Sequence, residues 1–180
     1  GAVSVSPTAI PEIDFEALKI GQFALKSCEG LTHDGAVFRV PMADDHPPAL
    51  EVPSTIKDCI VYLTVPQRRQ GSTEVDLTGA ERSASRLRPS RQEVTDVTSV
   101  DRKPVQIDVG KLRLQFALAV DDMADLLAIP VARIIEVRAD KEIVLDQSFI
   151  PSALDIRAAA PLNDFLRELE GLLAHRMEAL

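Results

Sequence analysis

Residues 111 to 120 read KLRLQFALAV, and their alternation decides the fold class. Leu112, Leu114, Phe116, Leu118 and Val120 fall on one side of an extended chain, while Lys111, Arg113 and Gln115 fall on the other. That period of two belongs to a half-buried β-strand and not to a helix. One face lies on a core and the other meets water, as is usual in antiparallel sheets. Just upstream Val105, Ile107 and Val109 repeat the pattern. Farther back, Ile60 to Val65 (IVYLTV) is the most hydrophobic run and reads as a central strand. It closes at Pro66, which has no N–H for a ladder.

Outward from this centre, strand signals recur at short intervals. Glu93 to Thr98 is one, and Ile129 to Arg138 with Glu142 to Leu145 forms a hairpin through Ala139 to Lys141. Asp34-Gly35 is the strongest turn signal, because Gly accepts a positive φ and Asp tolerates one. It joins a strand at about Gln22 to Glu29 to another at Val37 to Val40. Residues 15 to 29 are ambiguous between helix and strand, and Gly21 tips them toward the strand. Pro41, Pro47, Pro48 and Pro53 punctuate a loop holding a short extended segment, Ala49 to Val52. Asp121 to Leu127 reads as one helical turn capped by Asp121 or Asp122. Eight or so strands without intervening crossover helices predict a mainly β fold, an antiparallel sandwich or barrel.

The sequence between Gln67 and Ser90 turns polar and reads as an excursion from the core, locally basic through Arg82, Arg86, Arg88 and, just beyond, Arg91. Two readings stay open for it: a solvated loop, or a docking surface for an acidic partner.

After residue 149 the β pattern gives way to helix. Leu162, Phe165, Leu166, Leu169, Leu172, Leu173 and Leu180 recur at spacings of three and four, forming one apolar stripe. Pro161 suits the first turn, where its missing N–H is not needed. Nineteen residues make a rod of roughly 28 Å. Each large side chain contributes about 1.5–3 kcal/mol when fully buried, so the stripe needs a partner. That partner is either the sandwich itself or a seam with other helices, supplied by further chain or by other copies. The division expected is a sandwich over residues 1 to 160 and a helix from 161 to 180.

A formal charge of −8 argues against a general nucleic-acid binder. No run of 18 apolar residues is present, so no membrane-spanning helix is expected. The opening GAVSVSPTAI reads as an internal start behind a leading Gly, which leaves a signal peptide undecided. Cys28 and Cys59 lie in strand-like sequence and read as reduced core thiols rather than a disulfide framework. With one Tyr and no Trp, the stacking platforms of sugar and single-strand binders are lacking.

Candidate chemistry is sparse. His33, His46 and His175 are too scattered for metal-ligand spacing. Asp44-Asp45 and Asp121-Asp122 lack the alternating acids and central Gly of a calcium loop and read as solvated turns. Ser83 and Ser85 have no His or orienting acid nearby, and neither a phosphate loop nor a GxSxG elbow occurs. The expectation is no catalytic, cofactor-binding or metal site and no enzymatic activity.

Four stretches together resemble a known family: ALKIGQFALKSCEGLTHDGAVFRVP (17 to 41), VYLTVPQRR (61 to 69), ARIIEVRADKEIVLDQSFIPSALDI (132 to 156) and LNDFLRELEGLLAHRMEAL (162 to 180). In this order they are similar to the shoulder domain of the TssK (ImpJ/VasE) family, baseplate subunits of the bacterial type VI secretion system. The Asp34-Gly35 turn and the Phe149-Ile150-Pro151 exit into a leucine-rich helix are the most specific parts. The resemblance implies a β-sandwich akin to the shoulder of phage receptor-binding proteins. It also implies a helical neck that forms a homotrimer and a later head that contacts the membrane complex. The shoulder would dock on the TssF–TssG wedge, in the bacterial cytoplasm facing the inner membrane, with no membrane insertion. The runner-up is a phage-tail or adhesin-like β-sandwich binding module.

Overall fold

The computed structural model describes residues 7–69, 71, 74–75, 85–95, 104–153 and 160–178. Chain order begins with β1 (Thr8–Ile13) and a short helix α1 (Phe15–Lys19), started by Asp14, whose carboxylate accepts from the Glu16 N–H at 3.0 Å. This helix and its sharp exit at Gly21, φ +80°, come before the strand expected from Gln22. That strand is divided. β2 (Gln22–Phe23) pairs with β5 (Leu50–Glu51), whereas β3 (Leu25–Leu31) pairs with β1. Between them the chain changes partner at Ala24, whose C=O accepts from the Asp14 N–H. The Asp34-Gly35 turn, with Gly35 at φ +83°, joins β3 to β4 (Val37–Val40) as the sequence predicts.

β6 (Lys57–Pro66) is longer than its apolar run suggests. β7 (Leu87–Thr95) begins inside the segment read as a polar excursion, so that reading is corrected for residues 87 to 90; Thr98 and Arg82 lie outside the described residues. β8 (Pro104–Leu112) and β9 (Gln115–Leu118) correct the reading of 111 to 120 as one strand. The alternation is real, but the ladder partner changes. Up to Leu112 the chain pairs with β7, and from Gln115 it pairs with β6. Val120 is exposed in the following turn. No helical turn forms at 121 to 127: Asp121 accepts from the Leu118 N–H at 2.7 Å, and Leu126 already begins β10 (Leu126–Val137). β10 makes the expected hairpin with β11 (Ile143–Leu145). Pro130 sits where the β10–β6 register shifts, a place where a strand tolerates a residue without N–H. The last element is α2 (Ala160–Glu178).

All of these strand pairs are antiparallel. They form a three-stranded sheet ordered β1-β3-β4, a four-stranded sheet ordered β11-β10-β6-β9, and two ribbons, β2-β5 and β7-β8. The two larger sheets face each other across one core. Ala9, Leu25, Cys28, Phe38 and Val40 come from the first, and Val61, Leu63, Val65, Ile129, Val131 and Ile134 from the second. Phe23 closes the core edge-on against Phe116, ring centroids 5.1 Å apart and planes at 89°. Cys28 and Cys59 are both buried free thiols, and burial first, with the Glu29 charge, pushes Cys28 up to about 12. That thiol stays protonated and unreactive.

Within the β1-β3-β4 sheet, Gly30 leaves no room for a side chain. A Cβ there would lie 2.3 Å from the Thr8 carbonyl oxygen and 2.4 Å from Phe38 Cζ. Backbone on one side and a fully buried ring on the other cannot both yield. Gly30→Ala is therefore expected to destabilise the fold by about 1–3 kcal/mol, read as a lower urea midpoint at unchanged slope.

Candidate assembly surfaces

Two features stand apart from the sandwich. The first is α2. Leu162, Phe165, Leu166, Leu169, Leu172 and Leu173 lie within an arc of about 120° at 100° per residue. The structure brings these together as expected, and Met177, not among the expected residues, extends the stripe. Leu180 lies outside the described residues. Leu162 and Leu166 are half-buried near the helix base. Farther along, Phe165, Leu172 and Leu173 are 56%, 58% and 63% exposed, and Leu169 and Met177 are exposed too. This stripe does not fold back onto the sandwich. At the foot of α2, Pro161 helps line a groove of about 250 Å³ with Ile13, Phe15, Phe149 and Pro151.

The second feature is the β7–β8 arm, a two-stranded ribbon whose root is held by buried polar groups. Arg86 is only 3% exposed. Its Nη1 donates to the Pro66 C=O at 2.9 Å and its Nη2 to Asp34 at 3.0 Å. The arm is thereby tied to the end of β6 and to the β3–β4 turn. Partial burial pushes the Asp34 carboxyl up, but the Thr32 hydroxyl, the Arg86 charge and hydrogen bond, and the Ala36 amide outweigh it and hold it below its ordinary value. Asp44 completes the root, 6% exposed. One carboxylate oxygen accepts from the Leu112 N–H at 2.8 Å and the other from the Arg39 N–H at 3.2 Å. Lys111 Nζ lies 2.6 Å from Asp45.

These contacts overturn two expectations. Arg86 is a buried structural tie rather than part of a solvated loop or basic docking face. Asp44 is likewise no solvated turn residue, because its carboxylate stands in for a ladder acceptor. Of the other arginines, Arg88 is half-buried and Arg91 is exposed beside Asp108. Composition hid both ties, since a polar side chain is classed by its type while its burial depends on which segments close over it. No local sign marked them, since the residues after Arg86, LRPSRQEVT, show no apolar alternation.

Among the described residues no three His, Cys, Asp or Glu side chains gather as a metal site. His46 instead packs its Nε2 3.0 Å from the Lys26 C=O. A depression of about 420 Å³ beside Gly21 contains Glu51, Ser54 and Lys141 with Ile20, Val52 and Val137, without a nucleophile and base in contact. No helix among the described residues is long and apolar enough to cross a membrane.

The class so defined is a mainly β, two-sheet antiparallel sandwich carrying a ribbon arm and a terminal helix whose apolar stripe its own core leaves bare. Residues 10–180 match the family described as Bacterial Type VI secretion, VC_A0110, EvfL, ImpJ, VasE, and the chain belongs to that family. A relative, the type VI secretion system baseplate component TssK1 of Pseudomonas aeruginosa strain PAO1, is 34% identical over 169 residues. The match covers 94% of this chain and 38% of that protein. A crystal structure of TssK superposes with a TM-score of 0.89 at 27% identity, over 99% of this chain and 40% of that one. TssK in a TssK-TssF-TssG baseplate subcomplex shares the fold with a TM-score of 0.83 at 21% identity, over 96% of this chain and 58% of that one. The chain thus spans about two fifths of the length of the curated relative.

The root of the arm makes a pH-dependent contribution. Because the folded Asp34 carboxyl titrates below the ordinary 3.8, its stabilisation is fully present above that value and is lost as pH falls through the folded one. Asp34→Asn should lower stability at pH 7, and the gap to the unmutated chain should narrow as pH falls below the ordinary 3.8. Arg86→Ala, which strands Asp34 and the Pro66 carbonyl, should cost roughly 3 kcal/mol at neutral pH. Denaturant unfolding at several pH values measures both.

Proposed function

We infer that this chain is the shoulder module of a type VI secretion baseplate subunit, a structural component without catalytic activity. Residues up to about 160 form the shoulder and those from 161 begin a neck. It works on the cytoplasmic side of the bacterial inner membrane. The shoulder docks onto the TssF–TssG wedge, and regions following this segment connect the baseplate to the membrane complex. Membership of the family supports this reading, as does the fold shared with TssK in a TssK-TssF-TssG subcomplex. The observation that carries it is the stripe on α2. Exposed Phe165, Leu169, Leu172, Leu173 and Met177 are more apolar surface than a solvated helix retains, and helices resolve such stripes by packing into bundles.

The neck is a seam between three copies. Phe165, Leu169, Leu172 and Leu173 line it, with Leu162 and Leu166 at its base. In the full-length protein Leu169→Glu together with Leu173→Glu should reduce a trimer to monomer while the sandwich stays folded. Sedimentation gives the oligomeric state and circular dichroism the fold. A double variant that remains trimeric, or one whose β signal vanishes with the oligomer, removes the seam. Co-purification of the unmutated protein with TssF and TssG homologues tests the docking itself.

A further inference from the structure

We propose that the outer edge of β8 is a strand-acceptor site, which takes up an extended segment of the wedge partner as a third strand of the arm. This rests on the baseplate reading above and names the surface it uses.

The register decides which backbone groups are available. β7 and β8 pair from Leu87 opposite Leu112 to Thr95 opposite Pro104. In an antiparallel ladder only alternate pairs exchange hydrogen bonds. One step beyond the ribbon the Arg113 N–H donates to the Arg86 C=O at 2.9 Å, so the bonded pairs run from Arg88–Lys111 to Val94–Val105. The residues between them turn N–H and C=O outward. Pro89 and Pro104 both hold outward positions, where a missing N–H costs the ladder nothing. The Leu87 N–H turns out to the Glu74 C=O at 2.8 Å, and the Leu112 N–H to Asp44.

The two edges are therefore unequal. On β7 the outward row is occupied at Leu87 and interrupted at Pro89, so its open positions, Arg91, Glu93 and Thr95, lie away from the clamped root. On β8 the row Gln106, Asp108, Gly110 runs unbroken between Pro104 and the Asp44 contact, and among the described residues no further strand joins the ribbon. Unpaired edges of this kind are templates for another chain. The ribbon also has reason to take one. Two strands alone are marginal, and Val94, Val105 and Ile107 leave one face of the arm apolar and exposed. Its root, clamped by Arg86 and Asp44, holds this edge in place.

Charge selects the occupant. Two copies of β8 pairing about a two-fold axis at full overlap would set Asp108 against Asp108 directly across a ladder, a like-charge contact that the exposed Arg91 beside each only partly offsets. That axis would also join one trimer to another instead of closing the assembly. The edge fits a different chain: an extended segment with a Lys or Arg opposite Asp108 and apolar residues beside Ile107 and Val109.

The test is hydrogen exchange of the full-length protein, free and reconstituted with the TssF and TssG homologues of its own system. The amides of Gln106, Asp108 and Gly110 should exchange at least tenfold more slowly in the complex. Gln106→Pro removes one outward N–H and leaves the β7–β8 ladder intact, so it should weaken binding tenfold or more, while Gln106→Ala binds as the unmutated protein does. Unchanged exchange at the three amides, or equal loss in both variants, overturns strand addition and leaves wedge docking standing. Protection already present in the free protein assigns the edge to a second copy and also overturns it. If the unmutated protein fails to bind TssF and TssG at all, the baseplate reading falls and this inference with it.

Discussion

Everything in the molecule hangs on the ladder between β6 and β10. Their register runs from Leu126 opposite Pro66 to Glu136 opposite Lys57, with one shift beside Pro130. It places Val61, Leu63 and Val65 beside Ile129, Val131 and Ile134, all essentially without solvent contact. Each such side chain contributes about 1.5–3 kcal/mol when fully buried, an upper figure because an unfolded chain already hides some apolar surface. A one-residue slip would turn this whole set away from the core. With that register held, β9 adds on one side of β6, β11 adds beside β10, and the β1-β3-β4 sheet covers the apolar face.

The arm depends on this core without belonging to it. Its strands leave the sandwich at Leu87 and Leu112, where a ladder would otherwise end in unsatisfied groups. Arg86 and Asp44 resolve that by supplying a donor to the Pro66 carbonyl and an acceptor to the Leu112 amide. Buried charges are tolerated when they are paired or well hydrogen-bonded: Arg86 is paired with Asp34, and Asp44 accepts from two backbone N–H groups. The sandwich thus presents two projections of opposite character: an apolar helix stripe suited to copies of itself, and a ribbon with an open backbone edge.

Much of this was legible from the residues. The period of two at Leu112 to Leu118 and the apolar run at Ile60 to Val65 announced an antiparallel β fold, and Asp34-Gly35 announced its hairpin. The spacing of Leu162 to Leu173 announced a one-sided helix. Strand boundaries were less legible, because nothing in KLRLQFALAV marks the change of partner between Leu112 and Gln115. The polar character of Arg86 to Ser90 masked the start of β7. Burial of Arg86 and Asp44 was hidden, since their partners lie 52 and 68 residues away in the chain.

By itself, the sequence determined that the body is built of extended segments and the last element is helical, where the tightest turn falls and which faces are apolar. Those properties follow from side-chain spacing and backbone preference over a few residues. Only the tertiary structure decided which strand lies beside which, that one alternating run serves two sheets, that an arginine and an aspartate are interior ties, and that the β8 edge and the α2 stripe stay uncovered. Pairing and burial are settled by contacts between distant segments, and a local pattern records the demand for a partner without naming it.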